Sequence, residues 1–505
     1  MKKTVLLLMI ISIISSIIGF FREITLSYFY GASSISDVYL IALTIPGVIF
    51  TFIGSAISSG YIPMHTRIDK EYGAAYSQYY TNNLINIIMV FCTFIVFLTF
   101  IFTEQIVLIF ASGFSGETLQ LAVQFTRISI FGIYFTALVN ILKSYLNIRD
   151  VFVITGLIAL PLNLVIISSI VMSAVFAIEI LAYGSVLAVA VQVLFLLPSA
   201  LKNGYKHTFV LNLKDKHINK MMLLALPIIA GNSVNQINKI VDRTIASQVA
   251  EGGISALNYA DRLVWFIETV FVLSIITVIY PKISKMAADD HFEGMKTSIA
   301  KAVNAMNLLV IPAMIGFMFF SAELISFLFG RGAFDARALE MTSAGLFFYA
   351  VGMFGFGLRE VLSKAFYSLQ DTKTPMINGA IGMVVNIVLN VILAYYMGIA
   401  GIALATSIAA IVTALLMFIS LRKKIGALGI NQLLTTFVKT LFAALTMGVI
   451  TKLSYEHLIT VVNDIVALFL VIFAGIILYS SLIYFMKIDD VDVIVHTIKR
   501  KFARE

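Results

Sequence analysis

A single cysteine, Cys92, stands among 505 residues, so the chain can form no internal disulfide and offers no thiolate cluster for a metal. The six histidines fall in no close pair or metal-ligand spacing. There is no glycine-rich Walker loop and no Gly-x-Ser-x-Gly elbow, so direct nucleotide hydrolysis and serine-hydrolase chemistry have no carrier. Charge is the second scarcity. Only 12% of residues are Asp, Glu, Lys or Arg, about half the share found in soluble domains.

What fills the space is apolar: 60% of residues are hydrophobic and the mean hydropathy is +0.98. The apolar residues come in runs of roughly 18 to 25, enough to cross about 30 Å of hydrocarbon as helix. Short alternating segments, the mark of a membrane barrel, are missing. The fold class expected is therefore an all-α polytopic membrane protein with about 14 transmembrane helices.

Spans are predicted near 4–29, 34–60, 82–103, 122–147, 151–174 and 178–200, an N-terminal six-helix lobe over 1–200. A basic, polar connector over 201–220 leads to spans near 221–249, 255–281, 300–321, 338–367, 375–396 and 400–421, a second lobe over 221–424. Two further spans, near 433–453 and 461–486, and a basic tail complete 425–505. Lys2 and Lys3 before an apolar run superficially suggest a signal peptide. No small-residue cleavage site ends the run, so it is expected to stay as the first span.

Most Lys and Arg residues fall in the termini and in alternate loops, which predicts both termini on the cytoplasmic side of a bacterial inner membrane. The net charge of +8 follows from this loop bias and calls for no nucleic-acid partner. The expected partners are membrane lipids and a lipid-linked substrate. The two lobes read as a parallel repeat at a shift of about 219 residues. Glu23, Thr25 and Ile35-Ser36 then fall on Asp242, Thr244 and Ile254-Ser255. Asp150, Gly156 and Asn163 fall on Asp371, Gly379 and Asn386 at nearly the same shift.

Ionisable groups inside spans cost several kcal/mol unless they face protein or water, so they mark function by default. In the seventh span Asn232, Asn235, Gln236, Lys239 and Arg243 share one helical face with Asp242 at its edge. Arg22 and Arg262 lie in opposite lobes, each beside an acid, Glu23 and Asp261. Guanidinium groups so placed suit a phosphate-bearing substrate, while pairing with the adjacent acid or snorkelling to the interface is the plainer alternative. Asn386 and Asn390, one turn apart, with Thr406 and Asp242, suit either a small hard cation such as Na+ or interhelical hydrogen bonding.

Five stretches carry a family resemblance: Gly19-Phe20-Phe21-Arg22-Glu23, Tyr30-Gly31-Ala32 through Ser36-Asp37, Tyr259-Ala260-Asp261-Arg262-Leu263, Gly330-Arg331-Gly332-Ala333-Phe334-Asp335, and Phe366-Tyr367-Ser368-Leu369-Gln370-Asp371-Thr372-Lys373-Thr374-Pro375. Together they resemble the MurJ (MviN) lipid II flippases of the multidrug/oligosaccharidyl-lipid/polysaccharide exporter superfamily. The resemblance implies a transporter, not an enzyme, that moves an undecaprenyl-pyrophosphate-linked peptidoglycan precursor to the outer leaflet by alternating access. It implies substrate-binding roles for Arg22, Arg262 and Asp37, and a Na+ site at Asp242, Asn386, Asn390, Thr406 and the Ile402 carbonyl. It also implies a groove for the lipid tail in the last two spans. Lys239 and Arg243 join the substrate-binding set from their place on the polar face of the seventh span.

The chain departs from that pattern where relatives carry further charge, with Ser16, Thr51, Trp265 and Asn390 in those places. A flippase for another undecaprenyl-linked oligosaccharide and a drug/cation antiporter are the alternatives within the superfamily. A membrane-embedded glycosyl- or acyltransferase is the rival of a different class, and it lacks an obvious catalytic pair.

Overall fold

A computed structural model describes residues Lys2–Lys487, and among them every regular element is helical. The helices are α1 Lys2–Tyr30, α2 Ser34–Ala56, α3 Ile62–Tyr72, α4 Ala74–Ile101, α5 Thr103–Phe110, α6 Gly116–Ser129, α7 Gly132–Ile148, α8 Phe152–Leu157, α9 Ala159–Val175 and α10 Ile180–Lys202. They continue as α11 Lys216–Val249, α12 Gly253–Ala288, α13 Phe292–Phe319, α14 Ser321–Phe329, α15 Ala336–Ser368, α16 Lys373–Met397, α17 Ile399–Ile425, α18 Ile430–Leu458 and α19 Asp464–Phe485. A π-helical turn, Ile57–Tyr61, joins α2 to α3.

Eleven of these helices, and α8 with α9 together, are long and apolar enough to cross a membrane, which makes twelve spans, and the pair α6 and α7, bent by 40°, makes a thirteenth. The other expected span, near 221–249, is the 34-residue helix α11, long enough to cross but with a polar face that dilutes its hydropathy. The chain is thus an all-α polytopic membrane protein, with span number close to the 14 expected. Helices α3, α5 and α14 were not anticipated, because short amphipathic pieces leave no long apolar run. The basic tail Lys499, Arg500, Lys501 and Arg504 lies outside the described residues.

Contacts group the chain into two compact units, Met1–Ser255 with Arg331–Ala338, and Ala256–Gly330 with Leu339–Glu505. Helix α11 packs against α2 in the first unit. Element boundaries repeat along the chain: α2 and α12 begin at Ser34 and Gly253, α4 and α13 at Ala74 and Phe292, α7 and α15 end at Ile148 and Ser368, and α10 and α17 begin at Ile180 and Ile399. The shift stays close to about 219 residues throughout. Two helix ends are even built alike. Arg149 and Val151 N–H both donate to the Leu146 carbonyl at 3.0 Å, and Leu369 and Asp371 N–H both donate to Phe366 at 3.0 Å. The residue between is left-handed in each, Asp150 at φ 59° and Gln370 at φ 57°, so Asp150 pairs structurally with Gln370 and not, as the sequence register had it, with Asp371.

In the first unit the glycine motifs lock loops together. Gly31 has φ +60° and Gly332 φ +66°, and a Cβ on either would strike backbone of the other's segment, Ala333 or Tyr28. The close approach lets Ala333 N–H donate to the Tyr28 carbonyl at 2.8 Å. In the second unit α18 and α19 pack on α13 around Ile311, Ile315, Ala443, Ala444, Met447 and Tyr479, the small residues allowing close helix contact.

Proline chemistry explains one long-range contact. Pro46 lies inside α2 and has no N–H to give the Ala42 carbonyl one turn back. The buried Ser129 hydroxyl from α6 donates to that carbonyl at 2.7 Å instead. Ser129→Ala is expected to cost about 1–3 kcal/mol of unfolding free energy in detergent, the penalty of a buried acceptor left unmet. In a Pro46→Ala background, where a backbone N–H returns, the same change is expected to cost much less. An equal cost in both backgrounds would show that the carbonyl is not what Ser129 serves.

Candidate functional site

The first unit presents its cationic candidates in three different ways. Arg22 on α1 is held by its neighbours: Nη2 meets Glu23 Oε1 at 2.6 Å and Nη1 donates to Asn163 Oδ1 of α9 at 3.4 Å. The Glu23 side chain is only 2% exposed, whereas Arg22 keeps 20% of its side-chain surface open. The acid therefore anchors the guanidinium from a buried position. Both terminal amino groups of the guanidinium are thus engaged, one by the acid and one by the amide. Asn163, the repeat partner of Asn386, was not foreseen as a partner of Arg22; a lone Asn in the middle of an apolar span was the available signal.

Arg243 on α11 is spent differently. Its Nη1 donates to the Leu40 carbonyl at 3.0 Å and contacts the Thr44 hydroxyl, which ties α11 to α2. Lys239, one turn away, is exposed, and Asp242 is half-buried. The side chains of Asn232 and Asn235 lie outside the described residues.

Asp37 is buried, and its Oδ1 accepts from both the Ser255 N–H and the Ser255 hydroxyl at 2.7 Å. A carboxylate at the first turn of α12 meets unpaired amide N–H groups and the positive end of the helix dipole. Nearby, Ser34 N–H donates to Glu251 Oε1 at 3.3 Å and Arg337 donates to the Glu251 carbonyl at 3.3 Å. Asp37 thus belongs to the junction of loops that the glycine motifs close.

The second unit holds the remaining candidates. Arg262 and Asp261 are both exposed on α12. Further along the same helix, Glu268 lies in a polar group with Arg359 and Glu360 of α15, with Arg359 to Glu360 at 3.9 Å. Asn386 and Asn390 are fully buried on α16. Asn390 donates to Asn386 Oδ1 at 2.9 Å, Asn386 donates to Thr406 Oγ1 of α17 at 3.1 Å, and Thr406 donates to the Ile402 carbonyl at 3.0 Å. These bonds commit the Asn386 and Thr406 oxygens to neighbouring amides, and the four residues supply no charge of their own. That arrangement fits interhelical hydrogen bonding, and the one carboxylate of the expected cation set, Asp242, lies half-buried on α11 in the first unit. Among the described residues no three His, Cys, Asp or Glu side chains gather as a metal site.

Outside the spans, Asp371 of the Gln-Asp-Thr-Lys-Thr-Pro stretch ties two helices. Its carboxylate meets Lys424 Nζ at 2.6 Å and accepts from the Thr374 N–H at 2.9 Å and hydroxyl at 2.8 Å. Burial alone would raise its pKa, but the lysine and the two threonine donors outweigh it and hold the carboxyl at about 2. A depressed pKa stabilises the fold above the ordinary carboxylate range and loses that contribution as pH falls toward 2. A cavity of about 1110 Å³ opens between α4, α5, α6, α7 and α10, lined in part by Phe100, Glu104, Gln124, Arg127 and Phe131. It holds none of the residues expected to bind substrate.

This fold is a transporter fold. It matches a solved inward-facing multidrug resistance MATE family transporter of the MOP superfamily with a TM-score of 0.70, over 82% of this chain and 95% of that one, at 15% identity. A nearer likeness is to a solved structure titled "Lipid II flippase MurJ, inward closed conformation", with a TM-score of 0.80 and 26% identity over 94% of this chain and 98% of that one.

The family model described as Lipid II flippase MurJ matches residues 26–475, and the chain belongs to that family. It is 31% identical to a Vibrio cholerae protein named "Probable lipid II flippase MurJ" over 82% of each chain. It is 27% identical to the Burkholderia cenocepacia lipid II flippase MurJ over 86% of this chain and 87% of that one.

The Asn386 chain makes a specific expectation. Asn386→Ala and Thr406→Ala should each cost about 1 kcal/mol, the scale of a hydrogen bond between membrane helices. The melting temperature of the purified wild type should be the same in NaCl and KCl. A rise specific to Na+ that disappears in both variants would instead make these oxygens cation ligands.

Proposed function

We propose that this chain moves lipid II, the undecaprenyl-pyrophosphate-linked peptidoglycan precursor, from the cytoplasmic to the outer leaflet by alternating access. Family membership over nearly the whole chain supports the substrate. The observation that carries the chemistry is the Arg22 guanidinium, fixed by a buried acid within a membrane-spanning helix while 20% of its side-chain surface stays exposed.

A pyrophosphate offers oxygens at the spacing a guanidinium fork takes two at a time, and such charge-assisted bonds are strongest where water is scarce. Glu23 offsets part of the positive charge, so the site can hold the anion in one state and let it go in the next. Arg262, exposed on α12 in the second unit, and Lys239, exposed on α11 in the first, complete the proposed substrate-binding set. Arg243 and Asp37, committed to α2 backbone and to Ser255, hold the helices that carry the site.

The working organisation is two six-helix lobes over 1–200 and 221–424, a connector over 201–220, and two added helices with a tail over 425–505. Both termini are cytoplasmic in a bacterial inner membrane, following the Lys and Arg bias of the loops.

Loss of phosphate partners should be lethal where the flippase is essential. In a strain depleted of its own lipid II flippase, Arg22→Ala and Arg262→Ala are expected to abolish growth at unchanged membrane levels, and Arg22→Lys to restore it only in part. Wild-type growth of both alanine variants would overturn the anion site.

A further inference from the structure

The connector between α10 and α11 is basic and polar in sequence, yet it is bound to the side of a membrane-spanning helix. Four side chains of α4 hold it. Gln78 Nε2 donates to the carbonyls of Gly204 at 3.3 Å and Lys206 at 2.9 Å. Asn82 Nδ2 donates to the Lys206 carbonyl at 2.9 Å and the Thr208 hydroxyl at 2.8 Å. Asn86 Nδ2 donates to the Val210 carbonyl at 2.9 Å. Asn83 accepts from the Asn212 N–H at 2.7 Å and donates to the Asn212 carbonyl at 3.1 Å and to Asp215 at 3.3 Å.

The order of these contacts gives the path. The connector climbs α4 from Gln78 at Gly204 to Asn86 at Val210, then returns to Asn83 by Asn212. Eight residues of helix separate Gln78 from Asn86, a rise of about 12 Å. The apolar run of α4 starts at Leu84, so Asn86 lies inside it. An amide facing hydrocarbon there would go unmet, and the connector backbone satisfies it. Asn82, Asn83 and Asn86 are accordingly buried.

The apex that covers them is itself apolar on its outer side. Phe209 is 81% exposed, Leu211 44% and Leu213 64%, three alternate residues turned away from α4. Lys202, Lys206, Lys214 and Lys216, all exposed, lie toward the two ends of the segment. Apolar apex and cationic base follow the profile of one leaflet, from acyl chain to anionic headgroup.

We infer that residues 204–215 form an interfacial membrane anchor, in which Phe209, Leu211 and Leu213 insert into the leaflet beside α4 while the flanking lysines engage anionic headgroups. This requires only that α4 crosses a bilayer and is independent of the transported substrate. The link between the two halves of the chain is then seated in lipid at a fixed depth, and its seating depends on the anionic lipid content of that leaflet.

Trp265 is the chain's one tryptophan, so a Trp265→Phe, Phe209→Trp variant reports from the apex alone. In nanodiscs of phosphatidylcholine with phosphatidylglycerol, its emission is expected to lie well to the blue of hydrated indole. It should be quenched by acyl-brominated lipid and shielded from aqueous iodide. Replacing Lys206, Lys214 and Lys216 with Gln should weaken the bromine quenching when phosphatidylglycerol is present.

Emission of a hydrated indole, quenched by iodide and untouched by brominated chains, would overturn the proposal. Protection that appears only on adding a protein fraction would overturn it as well, in favour of a protein partner. Should the tryptophan variant fold poorly, a spin label at Leu211→Cys in a Cys92→Ser chain gives the same reading. Collision with oxygen should exceed collision with a water-soluble nickel chelate, and the reverse would contradict insertion.

Discussion

One constraint governs the contacts described above: a polar group placed among membrane helices has no water to turn to, so a partner from the protein stabilises it. The Ala42 carbonyl, freed by Pro46, takes a hydroxyl from Ser129. The α4 amides take the connector backbone. Asn390, Asn386, Thr406 and the Ile402 carbonyl hand one hydrogen bond along to the next. Arg22 stands apart because its partner, Glu23, is buried while its own side chain stays partly exposed.

The same constraint shapes the loops. Gly31 and Gly332 bring backbone so close that no side chain fits between, and the Tyr28 carbonyl is met by Ala333 N–H as a result. Asp37 fills the amide-rich first turn of α12. These contacts use residues of the family motifs, including Asp37, for which the resemblance implies a substrate-binding role. Their geometry is that of a clasp, and it explains the demand for glycine and for a short acid at those places.

Much of this was legible in the chain. Long apolar runs fixed the spans because hydrocarbon thickness sets a minimum helix length. Glu23 beside Arg22 announced an ion pair, and the Asn386, Asn390 spacing announced a shared helical face. Pairings across long separations were not legible. Asn163 lies 141 residues from Arg22, and Ser255 lies 218 from Asp37. The connector was legible as basic and polar but its seat on α4 was not: its backbone, which sequence composition does not describe, makes most of the contacts, and its alternating Phe209, Leu211 and Leu213 are too few to register as an apolar run. The repeat register slipped by one at Asp150 because helix ends align by hydrogen bonds and not by residue type.

The central claim is that this chain carries lipid II across a bilayer and that Arg22 grips its pyrophosphate. Purified protein in liposomes loaded with a fluorescent lipid II analogue tests both at once, with a membrane-impermeant reductant bleaching only the outer leaflet. Wild-type protein should expose the inner-leaflet pool to bleaching well above empty liposomes. Arg22→Ala should fall to the background, and soluble pyrophosphate should compete with the wild type. Bleaching that stops at the outer-leaflet share with the wild type, or that proceeds as fast with Arg22→Ala, would contradict the account.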